Sequence, residues 1–189
     1  MYRAKAEGRS NYRFYDAQMS VVASQRMAME TQLRRAVAEN QFELHYQPQV
    51  DLVSGKVVSA EALVRWLHPE RGMIPPDDFI PLLEETGLIT SLGEWVVKQA
   101  CLAAKSWAGV DGEPINIAIN LSPRQFADPK LPQIIREAMA ESSLMPSQIE
   151  IEITESMVMS NIEESNQLLK YLQDLGVSIA IDDFGTGHS

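Results

Sequence analysis

Four residues with hard oxygen donors, Glu61, Asn120, Glu152 and Asp182, stand at or near the C-terminal ends of four different strand-like runs: "VVSAEALVRW", "INIAINLS", "IEIEITES" and "VSIAIDDFG". Carboxylates plus a side-chain amide oxygen, without histidine or cysteine, form a donor set suited to Mg²⁺ or Mn²⁺. Asp183, beside Asp182, extends the set towards a second ion. Two such ions a few ångströms apart polarise a phosphodiester and lower the pKa of a bridging water. A lone acid at a strand end is more often a solvated cap or an ion-pair partner. Four donors on one side-chain parity, at one end of a sheet, argue for a site.

Positioning them requires strands that alternate with helices. Met29, Leu33 and Val37 recur at i, i+4 and i+8 in a helix from about Val21 to Asn40. "FELHYQP" reads as a strand, and "DLVSGKVV" supplies a Ser-Gly turn into a second one. Beyond it, "PDDFIPLLEETG", "SLGEWVVKQACLAAKSW", "PKLPQIIREAMAES" and "NIEESNQLLKYLQDLG" read as helices between the strands. Asn161 and Glu164 stand as in a capping box, with Gly176 at the helix end. Repeated βα units predict a parallel sheet, either doubly wound or a (β/α) barrel.

Parity separates the two architectures. The isoleucines of "INIAIN" and "IEIEIT" take one face, while Asn116, Ala118, Asn120, Glu150, Glu152 and Thr154 take the other. Ser59, Glu61, Leu63 and Arg65 alternate in the same way. A doubly wound sheet is apolar on both faces. One apolar face and one small or polar face, ending in functional groups, suits a barrel interior opening onto a mouth. Arg65 on the inward parity serves either as partner to a barrel acid or as a phosphate ligand.

Net charge is −10, from 26 acids and 16 bases, which opposes non-specific nucleic-acid binding. Acids that hold metal, which in turn holds an anion, reconcile this balance with an anionic substrate. There is no apolar run of about 20 residues and no secretory signal, so no membrane contact is expected within this segment. The single Cys101 reads as a buried helix residue in a reducing cytoplasm. His45, His68 and His188 lack ligand spacing and read as structural or water-ordering. "DFG" also occurs in the kinase metal-binding triplet, but the remaining kinase signatures are absent.

"EALVRW", "NLS", "EIEITES" and "DDFGTG", in this order and spacing, resemble the EAL domain of bacterial cyclic-di-GMP phosphodiesterases from about Phe42 onward. "MYRAKAEGRSNYRFY" resembles the end of a GGDEF diguanylate cyclase domain. The implied organisation is residues 1–19 as a GGDEF remnant, 20–40 as a linker and first helix, and 41–189 as an EAL domain. The implied fold is an α/β, TIM-like (β/α) barrel, incomplete, with about five of eight strands present. The expectation is therefore a segment of a longer protein.

The resemblance also implies hydrolysis of cyclic di-GMP to linear pGpG with two Mg²⁺ or Mn²⁺ ions. Glu61, Asn120 and Glu152 match metal ligands, and Asp182 and Asp183 match the acids of the two-metal site. Glu155 matches the residue that steadies the loop after the fifth strand. Gln47, Leu63, Arg65 and, more loosely, Glu94 match nucleotide contacts; Asn120 also borders the nucleotide. His188 stands where the family more often has an aromatic. An upstream GGDEF domain and a homodimer are the implied partners. The rival readings are a cyclic-di-GMP receptor without catalysis and an inactive truncated fragment.

Overall fold

The computed structural model describes residues 17–109 and 112–182, with side chains of the first helix described from Ser24 onward. Helix α1 (Ala17–Ala38) leads into strand β1 (Phe42–Val50). It begins ahead of the 19/20 boundary drawn from the sequence. The expected stripe holds: Leu33 is fully buried, and Met29 and Val37 pack beside it.

β1 runs antiparallel to β2 (Val57–His68), a departure from the parallel rhythm of the remaining units. Residues 51–56 are too few for a crossover, which takes a dozen or more. They close as a turn in which Asp51 Oδ1 accepts from the amide and hydroxyl of Ser54, at 2.7 and 2.6 Å. A sixth strand, β3 (Gly72–Ile74), is absent from the expected count of five. It pairs Leu67 with Met73 at the top of β2, and three residues are too few to show an alternation. His68 closes that turn: its Nδ1 accepts from the amides of Glu70 and Arg71, at 3.1 and 3.2 Å. His68 thus has a structural part in this turn.

From β2 the chain follows the βα pattern. Helices α2 (Pro76–Thr86) and α3 (Leu88–Ala104) precede β4 (Asn116–Asn120). The short α4 (Pro123–Phe126) and α5 (Leu131–Ser142) precede β5 (Ile149–Thr154), and α6 (Glu155–Ser160) and α7 (Ile162–Asp174) precede β6 (Ser178–Asp182). Gly87 turns the chain between α2 and α3 with φ of 80°, a left-handed value that glycine adopts without steric cost. Of the predicted capping box on α7, one half is present: Asn161 Oδ1 accepts from the Glu164 amide at 3.4 Å.

The sheet runs β1-β2-β4-β5-β6, with β2, β4, β5 and β6 parallel. Among the described residues it is an open arc of a barrel. Its convex face carries Ile117, Ile119, Ile149, Ile151 and Ile153, all at most 1 % exposed, against α3 and α5. Each such side chain contributes about 1.5–3 kcal/mol on burial. A second cluster packs Phe42, Trp66 and Phe79 against α1, α2 and α3, with Trp66 edge-on to Phe79 at 5.9 Å. Cys101 lies wholly inside the first cluster, and burial pushes its thiol up to about 12. Val177 is buried and Ile181 is half exposed. No helix among the described residues is long and apolar enough to cross a membrane.

The segment after β4 is held by a close approach. Gln125 accepts from the Ser122 amide at 3.1 Å, and its own amide donates to Ser122 Oγ at 3.3 Å. Its side chain lies so tightly on α3 that a Cβ at Gly93 would sit 1.8 Å from Nε2. Gly93→Ala must expel Gln125 and is expected to cost about 1–3 kcal/mol in denaturant unfolding. Gln125→Ala in the same chain should recover part of that loss. Wild-type stability of the single variant would refute the contact.

Candidate active site

Strand register assembles the polar groups on the concave face. Gln47 lies directly opposite Glu61 across β1 and β2, and Glu61 is level with Ala118 of β4. Two residues higher, Asn120 is level with Glu152, and Glu152 with Ala180 of β6. Thr154 is level with Asp182. Asn120, at the end of β4, donates from Nδ2 to Glu61 Oε1 at 2.6 Å, tying the two strands together. The Leu121 amide donates to the Glu152 carbonyl at 3.0 Å, so the chain leaves β4 still anchored to β5.

The carboxyl of Glu152 is held above the usual carboxylate range. Desolvation is the first cause, followed by the charges of Glu61, Glu150 and Asp182. Gln49 opposes them by hydrogen-bonding the carboxylate. The sequence reading omits Gln49. Its signal was available in the alternation, two residues beyond Gln47 and paired with Ser59 on the same face.

Above Ala62 and Ile119 the pairing of β2 with β4 ends. A cavity of about 340 Å³ opens there against helices α2 and α3, lined by Leu63, Arg65, Asn120 and Thr154 together with apolar side chains such as Ile80, Leu92 and Val96, and by none of Glu61, Glu152 and Asp182. Arg65 is the one cation among its lining residues, and its Nη1 donates to the Val64 carbonyl at 2.9 Å. Leu63 and Arg65 are thus brought to the mouth beside Asn120. Glu155 opens α6 immediately after Thr154.

Glu94 is not brought to this cavity. It ion-pairs with Lys98 at 3.1 Å on α3, and Lys98 also reaches Glu137 of α5. An i,i+4 acid–base pair on a helix surface satisfies Glu94 locally. Asp183 and His188 lie outside the described residues.

By type the donors, three carboxylates and an amide, suit a hard divalent cation, and desolvation followed by the neighbouring acids holds the Glu152 carboxyl up. Among the described residues no three His, Cys, Asp or Glu side chains by themselves form a metal-holding group. Asn120 Nδ2 holds Glu61 by its hydrogen bond from the end of β4.

An arc of parallel strands backed by helices, with polar groups at the strand C-termini, defines a TIM-like barrel domain, a fold whose sites are built at that face. Residues 30–189 match the family model of the EAL domain, and the chain belongs to that family. Over all 189 residues it is 43 % identical to the bifunctional diguanylate cyclase/cyclic di-GMP phosphodiesterase MucR of Pseudomonas aeruginosa, covering 28 % of that protein. It is 41 % identical to the cyclic di-GMP phosphodiesterase NbdA of the same organism over 189 residues, the whole of this chain and 24 % of NbdA. The chain thus spans about a quarter of the length of these relatives.

Among solved structures it is similar to the PaMucR phosphodiesterase in complex with c-di-GMP. The TM-score is 0.80 at 44 % identity, covering 86 % of this chain and 66 % of that one. The EAL enzyme Bd1971, with cAMP and cyclic-di-GMP bound, aligns with a TM-score of 0.81 at 29 % identity, covering 89 % and 46 %.

The raised Glu152 carboxyl has a signed consequence. The folded state binds this proton more tightly than the unfolded chain does. Metal-free stability therefore falls as pH rises from the ordinary carboxylate range through the folded pKa. Glu152→Gln should raise the melting temperature at neutral pH without divalent ions, with no gain at acid pH. It should also diminish stabilisation by added Mn²⁺. Thermal melts across that range check both signs, and a lowered neutral melting temperature would contradict the repulsion.

Proposed function

We propose that this chain forms part of a phosphodiesterase that hydrolyses cyclic di-GMP to linear pGpG. The observation that carries the reading is the gathering of Glu61, Asn120, Glu152 and Asp182 at one end of the sheet, beside a cavity whose lining cation is Arg65. Membership of the EAL family supports it, as does the likeness to a phosphodiesterase solved with c-di-GMP.

Glu61, Asn120, Glu152, Asp182 and Asp183 would hold two Mg²⁺ or Mn²⁺ ions. Ions so bound supply Lewis acidity at the phosphodiester and a water of lowered pKa. Asn120 orients Glu61 through its 2.6 Å bond, leaving its amide oxygen to serve as a donor. Gln49 steadies the Glu152 carboxylate from across the arc.

Arg65 binds a non-bridging phosphate oxygen, where a guanidinium offers planar, charge-assisted donors. Leu63 and Gln47 border the nucleotide beside it. Glu155 steadies the loop that follows β5. An upstream diguanylate cyclase domain completes the proposed parent protein.

The test is metal-dependent release of pGpG from cyclic di-GMP by the natural protein that contains this chain. Glu61→Ala should abolish turnover, and wild-type kcat at saturating Mg²⁺ would overturn the site. Binding without hydrolysis by the unsubstituted protein would assign a receptor role instead. Arg65→Ala should weaken nucleotide binding by about 1.5–3 kcal/mol in the presence of Ca²⁺, the scale of hydrogen bonds to charged groups. Unchanged affinity would leave Arg65 only bracing the strand.

A further inference from the structure

The concave ladder of β1 and β2 continues above the acids. His45 lies opposite Leu63, and Glu43 opposite Arg65. Directly opposed residues share a face of the sheet, so Glu43 and His45 point the same way as Glu61 and Arg65. Glu43 and Arg65 carry opposite charge and are cross-strand neighbours, yet they do not pair. Glu43 Oε1 takes His45 Nε2 at 2.6 Å, and Arg65 donates to the Val64 carbonyl. Both members of the Glu–His pair keep more than two fifths of their side-chain surface open, 43 % for Glu43 and 44 % for His45. Higher still, Leu67 and Met73 oppose each other across β2 and β3, 41 % and 52 % exposed. The rim thus offers a carboxylate oriented by an imidazole, a guanidinium and an open apolar step.

We infer that Glu43, held by His45, reads the Watson–Crick edge of a guanine base at this rim and makes the site select guanine over adenine. The inference rests on the cyclic-di-GMP reading above. A carboxylate offers acceptors alone. Guanine presents two adjacent donors on that edge, the ring N1–H and the exocyclic 2-amino group. Adenine presents an acceptor at N1 and has no 2-amino group, so it would set a lone pair against the carboxylate. The imidazole occupies Oε1 and fixes the plane of the carboxyl, so the remaining lone pairs face the ligand.

Glu43 lies four residues along β1 from Gln47, the residue opposite Glu61, roughly 13 Å at strand spacing. The reacting phosphate is expected near the acids, so side chains reaching from both ends leave room for a nucleoside between them. Leu67 and Met73 offer apolar surface to the face of the base, as ligand sites commonly do.

The experiment compares cyclic di-GMP with cyclic di-AMP in the natural protein and in its Glu43→Gln and Glu43→Ala variants. Binding is measured with Ca²⁺, and KM and kcat with Mg²⁺. Glu43→Gln should raise Kd and KM for cyclic di-GMP on the order of 10–100-fold, the scale of one good base-edge contact. Its kcat should stay nearly unchanged, because the group lies away from the reacting phosphate. The same variant should bind cyclic di-AMP better than the unsubstituted protein does, since an amide can both accept from the 6-amino group and donate to N1. Glu43→Ala should lose the guanine contact without gaining adenine. His45→Asn should show a smaller loss in the same direction.

His45 is exposed and Glu43 half-buried, so unchanged melting temperatures separate these effects from misfolding. Intact cyclic-di-GMP binding with an unchanged guanine preference in all three variants overturns the contact alone. Failure of the unsubstituted protein to bind cyclic di-GMP overturns the functional reading, and this contact with it.

Discussion

The two-residue period of the strands decides where every other group in this molecule goes. Isoleucines at 117, 119, 149, 151 and 153 are driven to the helices by burial, and that leaves Asn120, Glu150, Glu152 and Thr154 on the opposite face. A slip of one residue in β5 would send Glu150 and Glu152 into the core and its isoleucines into the site. The hydrophobic convex face therefore sets the registry of the polar concave face. Glu61, Asn120 and Glu152 stand together because their apolar neighbours cannot stand anywhere else.

Fixed in this way, the acids repel one another. Glu152 meets desolvation and three neighbouring carboxylates, and Gln49 offsets only part of the effect. Asn120 meets the same problem at Glu61 by offering a donor where another acid would add charge. A net charge of −10 gives no general attraction for an anionic ligand. On the proposed reading attraction would be local, from Arg65 at the cavity and from cations held by the acids. The acidity of the surface and the proposed affinity for a phosphodiester are compatible because they would operate at different ranges. Screening confines the net charge to about 10 Å, whereas ligands and ions in the site touch.

Much of this arrangement was legible in the residues. Alternation in "IEIEIT" and "INIAIN" separates the two faces without any knowledge of partners, and Asn120 and Glu152 prove level with each other in adjacent strands. What was not legible has identifiable causes. β3 is three residues long and has no period to detect. The antiparallel sense of β1 follows from the shortness of residues 51–56, a matter of chain length and not of side-chain pattern. Glu94 matches a nucleotide contact by motif, and in the structure it pairs with Lys98 one helical turn away. Gln49 was on the correct parity, yet an uncharged residue draws no attention until an acid is found against it.

The same reasoning shows why the loop after β4 matters as much as the strand. Asn120 is the last strand residue, and a side chain at a strand end is only as well placed as the segment that follows it. Ser122 caps α4, Gln125 completes the cap, and the bare Gly93 lets Gln125 lie against α3. Leu121 meanwhile keeps its amide on the Glu152 carbonyl. The bond from Asn120 to Glu61 is thus the end of a chain of contacts running from helix α3 through the cap to strand β2. Rigidity at the acids is borrowed from packing behind the sheet. The glycine in "LGEWV" therefore contributes to the site through the space it leaves empty, although the motif's acid makes its ion pair elsewhere.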